Sequence, residues 1–248
     1  MKKDTSWSSV GKWYDERVAS KGHLYHQEVI FPKLKQWLKW KKGDALLDLG
    51  CGQGVFSRQL PEGVDYCGID LAKPLIKEAQ KRSFHTFLMG DATSPLPTKK
   101  KDFSHALFLL SLQNMSDGKS AIQNAKNHLR EKGLLYLILN HPCYRIPRQS
   151  SWGIDEGKKI QYRRVDRYLS PLEIPIQMHP SKKGKSEKTF SYHVPLSTLS
   201  DWLRESGFVI LRMEEWTSPK KSGGLKAKME NRARDEFPLF LAIEARFG

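Results

Sequence analysis

The sequence predicts an α/β fold built on a doubly wound, mostly parallel sheet. Three observations predict it. Short apolar runs alternate with helix-patterned stretches through the first 140 residues. A glycine-rich turn follows the first apolar run, and an aspartate closes the second and the third. Strands alternating with helices pair in parallel through right-handed crossovers, and ligands bind at the carboxyl ends of such strands where their order reverses.

Each element follows in order. Leu24, Val29, Ile30, Leu34, Trp37 and Leu38 lie at helical spacing, and Pro32 splits that stretch into two helices. Lys42-Gly43-Asp44 is a turn, and Ala45 to Leu49 is the first strand. Gly50, Gly52 and Gly54 then open a helix over 55–60. After a turn at 61–63, residues 64–70 (VDYCGID) form the second strand, ending at Asp70. A helix over 74–82 has proline at its first position, where the missing N–H costs nothing. HTFLMGDA is a third strand ending near Asp91, SHALFLLSL a fourth, and KSAIQNAKNHLREKG a helix stopped by Gly133. LLYLILN is the fifth strand and ends at Asn140. Residues 145–190 read as irregular, broken by Pro147, Pro171, Pro175 and Pro180 and by the basic run SKKGKSEK. A short strand, a helix capped near Ser197 and another strand follow, up to Trp216. Residues 217–236 read as a charged connection, and FPLFLAIEAR as a final antiparallel strand.

Composition excludes several classes. Of the 248 residues, 39% are hydrophobic, enough for a sizeable core. Apolar runs such as Ala106 to Leu110 are far short of the about 20 residues a membrane helix needs, so a soluble protein is expected. The N-terminal MKKDTSWSSVGKWYDE lacks the apolar segment of a secretory signal. Cys51, Cys67 and Cys143 form no paired motif, which fits a reducing cytoplasm. The net charge of +15 suits an anionic partner such as RNA, a membrane surface or an acidic metabolite, or simply a solvated basic surface.

The glycine turn narrows the chemistry. In LDLGCGQG the glycines are spaced GxGxG, unlike the GxGxxG that holds a dinucleotide pyrophosphate. Asp48, two residues before Gly50, is a poor neighbour for pyrophosphate and suits a cationic group. Asp70 at the tip of strand two is placed for ribose hydroxyls, and Asp91 at the tip of strand three for an exocyclic amine. Cation, ribose and adenine in that order describe S-adenosylmethionine.

With LDLGCGQG, GID at 68–70, GDA at 90–92, FSHALFLLSLQNM and LREKGLLYL on the page, the chain resembles the class I S-adenosylmethionine-dependent methyltransferases, of the type that methylates quinones, polyketides and other small molecules. The resemblance covers about residues 10–140 and 190–248. It implies a Rossmann-like, seven-stranded sheet with its last strand inserted antiparallel. It implies an N-terminal helical lid over 1–42 and a methyltransferase domain over 43–248, with a substrate cap inserted at about 141–190. It implies cofactor contacts at Asp48, Gly50, Cys51, Gly52, Asp70, Leu71, Asp91 and Ala92.

Methyl transfer needs an aligned acceptor more than a catalytic triad. Acceptor-site candidates are Trp13, Tyr14, Tyr25 and His26 in the lid, Ser111 to Met115 after strand four, and the insertion. Gln113-Asn114 stands where many relatives carry histidine, which leaves His141 as the candidate base. His141, Cys143, His179 and His193 show no paired metal-ligand spacing, so no metal site is expected. Arg145, Arg148, Arg163, Arg164 and Arg167, interleaved with Tyr144, Trp152, Tyr162 and Tyr168, either grip and stack on an acceptor or pair with Asp155, Glu156 and Asp166 in a structural cap. A small-molecule acceptor is the leading reading, with Tyr14, Tyr25, Arg145, Arg148 and Trp152 as its contacts. RNA methylation and a non-catalytic S-adenosylmethionine-binding protein are the alternatives.

Overall fold

A computed structural model describes Trp7, residues 22–177 and residues 188–248. Its centre is a seven-stranded sheet in the order β10-β11-β5-β4-β1-β2-β3. The strands are β1 (Ala45–Leu49), β2 (Asp65–Asp70), β3 (Thr86–Met89), β4 (Phe103–Leu109), β5 (Leu129–Asn140), β10 (Phe208–Trp216) and β11 (Phe240–Phe247). Pairings from β3 through β5 are parallel, and β11 is antiparallel to both β5 and β10. The expected sheet, with one antiparallel strand contributed by the end of the chain, is therefore present. Strand order reverses between β1 and β4, and their carboxyl ends open the main cavity.

Side chains alternate across each strand, so β1 feeds two cores. Ala45, Leu47 and Leu49 face α3 (Gly118–His128) and α4 (Leu196–Glu205) through Ala121, Ile122, Ala125, Leu199 and Leu203. Leu46 faces the opposite layer, made by α1 (Phe31–Trp37) and α2 (Lys73–Arg82) through Leu34, Trp37, Ile76 and Ala79. No helix among the described residues is long and apolar enough to cross a membrane.

Several local expectations are corrected. Upstream of Pro32 the chain forms a π-helical turn, His26–Ile30, which runs directly into α1. The turn after the glycines does not become an α-helix; only a 3-10 turn forms, at Ser57–Gln59. Gly133 does not stop α3. The helix ends at His128, and Gly133 lies inside β5 at a bulge where the pairing with β4 slips. A Cβ there would meet the Arg130 carbonyl oxygen at 2.8 Å, which explains the glycine. Ser197 is not a cap: α4 starts at Leu196 after Pro195, with no side-chain cap bond. The charged connection contains a helix, α5 (Ala227–Glu236), whose one buried residue is Ala233.

The insertion is ordered where it is described. Two antiparallel hairpins replace the expected irregular chain: β6 (Ser150–Asp155) with β7 (Ile160–Val165), and β8 (Leu172–Gln177) with β9 (Lys188–His193). Pro175 is tolerated inside β8 because a two-stranded ribbon has a free edge that needs no N–H.

Candidate functional site

A cavity of about 620 Å³ opens at the carboxyl ends of β1, β2 and β4. Gly50 and Gly52 form its floor, and Asp70, Leu71, Asp91 and Ala92 one wall. Gly50 has φ 76° and donates its N–H to the Ile69 carbonyl at 2.8 Å. A Cβ on it would collide with Ser111 Cβ at 2.4 Å, so only glycine lets this turn lie against β4. Ser111 is itself fixed by donating to the Leu49 carbonyl at 2.6 Å.

Asp70 is held by two backbone donors, Gly52 N–H at 2.8 Å and Ala72 N–H at 2.7 Å. Burial raises its pKa, and those two hydrogen bonds oppose the rise. Asp91 accepts from the Thr93 N–H at 2.9 Å and the Thr93 hydroxyl at 2.7 Å, which fixes the loop after β3. Asn124 pins the same loop by donating to the Ala92 carbonyl at 2.8 Å. Leu110, at the end of β4, holds a left-handed backbone with φ 55° and presents its carbonyl to the Gln113 and Asn114 amides. A strained residue at the lip of a cavity is a common mark of a functional site.

Asp48 and Cys51 do not line the cavity. Asp48 shares the face of β1 with Leu46 and points into the layer beneath the turn. There the Tyr66 hydroxyl donates to Oδ2 at 2.7 Å, and Oδ1 has no hydrogen-bond partner among the described residues. Burial raises its pKa to about 7, with the Asp70 charge adding to the rise. The Cys51 thiol is buried, which pushes its pKa up, and lies against the Gly52 carbonyl.

The opposite wall comes from the N-terminal segment and the last strand: His23, Tyr25, His26 and Phe240. Trp7 also lines it, whereas Trp13 and Tyr14 lie outside the described residues. Tyr25 packs edge-on against Phe240 with centroids 5.8 Å apart. His26 stacks between His23 and Phe31, and its buried Nδ1 has no hydrogen-bond partner among the described residues. Burial lowers its pKa to about 3, so it is a neutral imidazole.

A second cavity of about 430 Å³ adjoins the first. Both are lined by Gln113, Met115, Ser116, Asn140 and Arg145. The second lies under the β8–β9 hairpin and against α4, with Pro142, Ile146, Leu172, Leu199 and Trp202 among its walls. The sequence marked the insertion that holds β8 as a substrate cap, but not α4, whose apolar residues read as ordinary core.

Three insertion candidates fall away from these cavities. His141 is fully buried; its Nε2 meets Glu215 Oε1 at 2.6 Å and its Nδ1 accepts from the Cys143 N–H at 3.2 Å. A backbone N–H only donates, so Nε2 carries the hydrogen and both ring nitrogens are engaged. His141 lines neither cavity and is a structural residue rather than a base. Arg148 is exposed at a turn with φ 62°. Trp152 packs on Phe237 with centroids 5.5 Å apart and carries the Arg163 guanidinium 5.0 Å above its ring. Arg163 also donates to the Tyr144 carbonyl and the Ser150 hydroxyl, Arg164 pairs with Asp166 at 2.8 Å, and Lys226 pairs with Glu156 at 2.8 Å. Apart from Arg145, then, this part of the insertion is a structural brace. Among the described residues no three His, Cys, Asp or Glu side chains converge, and His179 lies outside them.

The comparisons with known proteins agree with this geometry. The family model described as a methyltransferase domain matches residues 47–137, from β1 into β5. An uncharacterized protein of Methanocaldococcus jannaschii is 26% identical over 206 residues, covering 82% of this chain and 77% of its own. The O-methyltransferase resE of Aspergillus sclerotiorum is 25% identical over 202 residues, covering 69% and 76%. The crystal structure of an S-adenosylmethionine-dependent methyltransferase from Mesorhizobium loti superposes with a TM-score of 0.67 at 25% identity, covering 87% of this chain and 96% of the other. Sheet order, the glycine turn at the switch point and these likenesses together make the chain a class I S-adenosylmethionine-dependent methyltransferase, with S-adenosylmethionine as its cofactor.

Proposed function

We propose that the enzyme methylates a small organic molecule seated in the second cavity. The observation that carries this reading is the junction of the two cavities through Gln113, Met115, Ser116, Asn140 and Arg145. An acceptor in the 430 Å³ space meets a donor in the 620 Å³ space across that junction. A volume of this size, with apolar walls and a few convergent polar groups, suits a small ligand. RNA remains the second reading because of the +15 charge. The hairpin arginines Arg163 and Arg164 weigh against it, since their donors are engaged within the cap.

The first cavity fits the cofactor in its residues. Asp70, held with its carboxylate at the tip of β2, is the ribose acceptor; Asp91 and Ala92 border the adenine; the backbone at Gly50 and Gly52 faces the methionine part. Asp48, with an orphaned buried oxygen beneath the turn, offers a negative charge to the cationic end from behind the glycines. Bound S-adenosylmethionine supplies a methyl group on a sulfonium, and an acceptor lone pair bonds to that carbon as the carbon–sulfur pair goes to sulfur. The protein's share is alignment and exclusion of water: Met115 walls the junction, Leu110 lines the first cavity beside it, and Tyr25 with Phe240 closes the far side. The free thiols of Cys51, Cys67 and Cys143 suit a cytoplasmic enzyme.

Transfer of labelled methyl groups into fractionated cell extract tests the acceptor class. Label in the low-molecular-weight or organic fraction is expected. Label that disappears on ribonuclease treatment replaces this reading with RNA methylation.

A further inference from the structure

Arg145 differs from its neighbours in the insertion. It reaches the junction and lines both cavities. Its Nη1 donates to Asn140 Oδ1 at 3.0 Å, and its guanidinium carbon sits 5.6 Å from the centre of the Phe240 ring. Both contacts are with neutral groups. Among the described residues no carboxylate comes within the 4.0 Å of an ion pair. Burial lowers its pKa, as expected for a partly desolvated cation; Tyr25 opposes that shift and the Arg163 charge adds to it. An arginine stays charged under such conditions, and a desolvated charge without a counter-ion is costly. The remaining N–H donors of its planar fork are available to a ligand at the junction.

The surroundings point the same way. The second cavity sets Arg145 among mostly apolar walls, Pro142, Ile146, Leu172 and Trp202, with Tyr192 and His193 also lining it. Glu173, the carboxylate among its lining residues, is exposed. A bound sulfonium cofactor brings another positive charge to the junction, so the electrostatic demand there is for an anion.

We propose that the acceptor is an amphipathic organic acid, its carboxylate gripped by Arg145 at the junction and its apolar body lying in the second cavity. This rests on the reading of the second cavity as the acceptor site. A planar carboxylate matches the fork of the guanidinium, and the apolar walls favour an aromatic or medium-chain body.

The test is calorimetry on the full chain loaded with S-adenosylhomocysteine, titrated separately with sodium octanoate and with octanamide, which share a chain and differ in charge. Octanoate is expected to bind at least about tenfold more tightly, a difference of about 1.4 kcal/mol. Arg145→Gln is expected to erase the preference, and Leu172→Trp, which fills the second cavity, to weaken both probes alike. Equal binding of the two probes by wild type overturns the carboxylate assignment, and that comparison stands even if Arg145→Gln fails to fold. Equal binding that Leu172→Trp still abolishes leaves the cavity reading in place. Binding of either probe that is indifferent to Leu172→Trp, or no binding by protein that takes up S-adenosylhomocysteine, overturns both.

Discussion

The Nε2–H of His141 points at Glu215 Oε1 across 2.6 Å, and the ring is completely buried, tilted against Tyr144 with centroids 4.9 Å apart. Glu215 lies on β10, beside β11, which pairs with β5. The pair therefore ties the base of the insertion to the far strands of the sheet, and burial keeps the imidazole pKa below its usual value even though Glu215 opposes that shift.

A tie of this kind predicts a stability defect without a chemical one. His141→Ala is expected to lose about 1–3 kcal/mol, from the broken hydrogen bonds and the orphaned Cys143 N–H. Methyl transfer per folded molecule is expected to stay near wild type. Urea unfolding together with rate measurements on the folded fraction checks both parts, and a large loss of turnover in fully folded protein returns His141 to the reaction.

Asp70 is the ribose acceptor of the proposed site, so Asp70→Ala is expected to weaken S-adenosylmethionine binding about 10- to 100-fold, or roughly 1.4–2.8 kcal/mol. The same change frees the N–H groups of Gly52 and Ala72, which adds mobility to the turn. Titration calorimetry reads the affinity directly. A dissociation constant indistinguishable from wild type removes Asp70 from the site.

Gly50 and Gly43 separate backbone strain from collision. Both have positive φ, 76° and 85°, but a Cβ on Gly43 meets nothing within 4 Å while one on Gly50 meets Ser111 Cβ at 2.4 Å. Gly43→Ala is expected to cost only the roughly 1–2 kcal/mol of a left-handed alanine. Gly50→Ala adds displacement of Ser111 and is expected to lower Tm further, by several degrees at about 2–4 °C per kcal/mol. Thermal melts of the two variants side by side decide it: equal shifts mean that the contact with Ser111 is soft.

Buried groups give stability two opposing dependences on pH. Burial lowers His26 to about 3 and His105 to about 4. An unfolded imidazole takes up a proton near 6.5, so the unfolded chain binds more protons below that pH, and stability declines as pH falls from about 6.5 toward 4. Asp48 has the reverse sign. Its folded pKa is about 7, so its contribution is full below the unfolded carboxylate range and is lost as pH rises from about 4 through 7. Asp48→Asn keeps an acceptor for the Tyr66 hydroxyl and removes that loss. The unliganded variant is expected to gain on wild type between pH 5 and pH 8, the gap widening by up to about 3 kcal/mol over the roughly two pH units from 5 to the folded pKa, at roughly 1.36 kcal/mol per unit. Denaturant titrations at the two pH values show whether the gap opens.

Much of the first cavity's lining was legible because it is written in local sequence. Strand periodicity placed the tips of β1, β2 and β3, and the residues next to those tips, Gly50, Gly52, Asp70, Leu71, Asp91 and Ala92, do line the first cavity. Asp48 and Cys51 were adjacent in sequence and still missed the cavity wall, since alternation along β1 turns Asp48 to the Tyr66 side. Errors elsewhere have similar local causes. Prolines hid the hairpins, because a free ribbon edge accepts Pro175. A helix with only Ala233 buried left no apolar stripe to read over 227–236.

The sequence by itself determined the sheet and its glycine turn, through periodicity, chain order and three acidic residues near strand ends, all of which act over a few residues. Only the tertiary structure decided the acceptor side. His141, Arg145 and Trp152 stand within a dozen residues of one another, yet one is sealed against Glu215, one opens onto both cavities and one braces Phe237. Those partners come from β10, β11 and the segment after α5, brought alongside β5 by the antiparallel insertion of the last strand. Chemistry at that end depends on which distant groups satisfy or leave open each side chain, and local residue spacing holds no record of that.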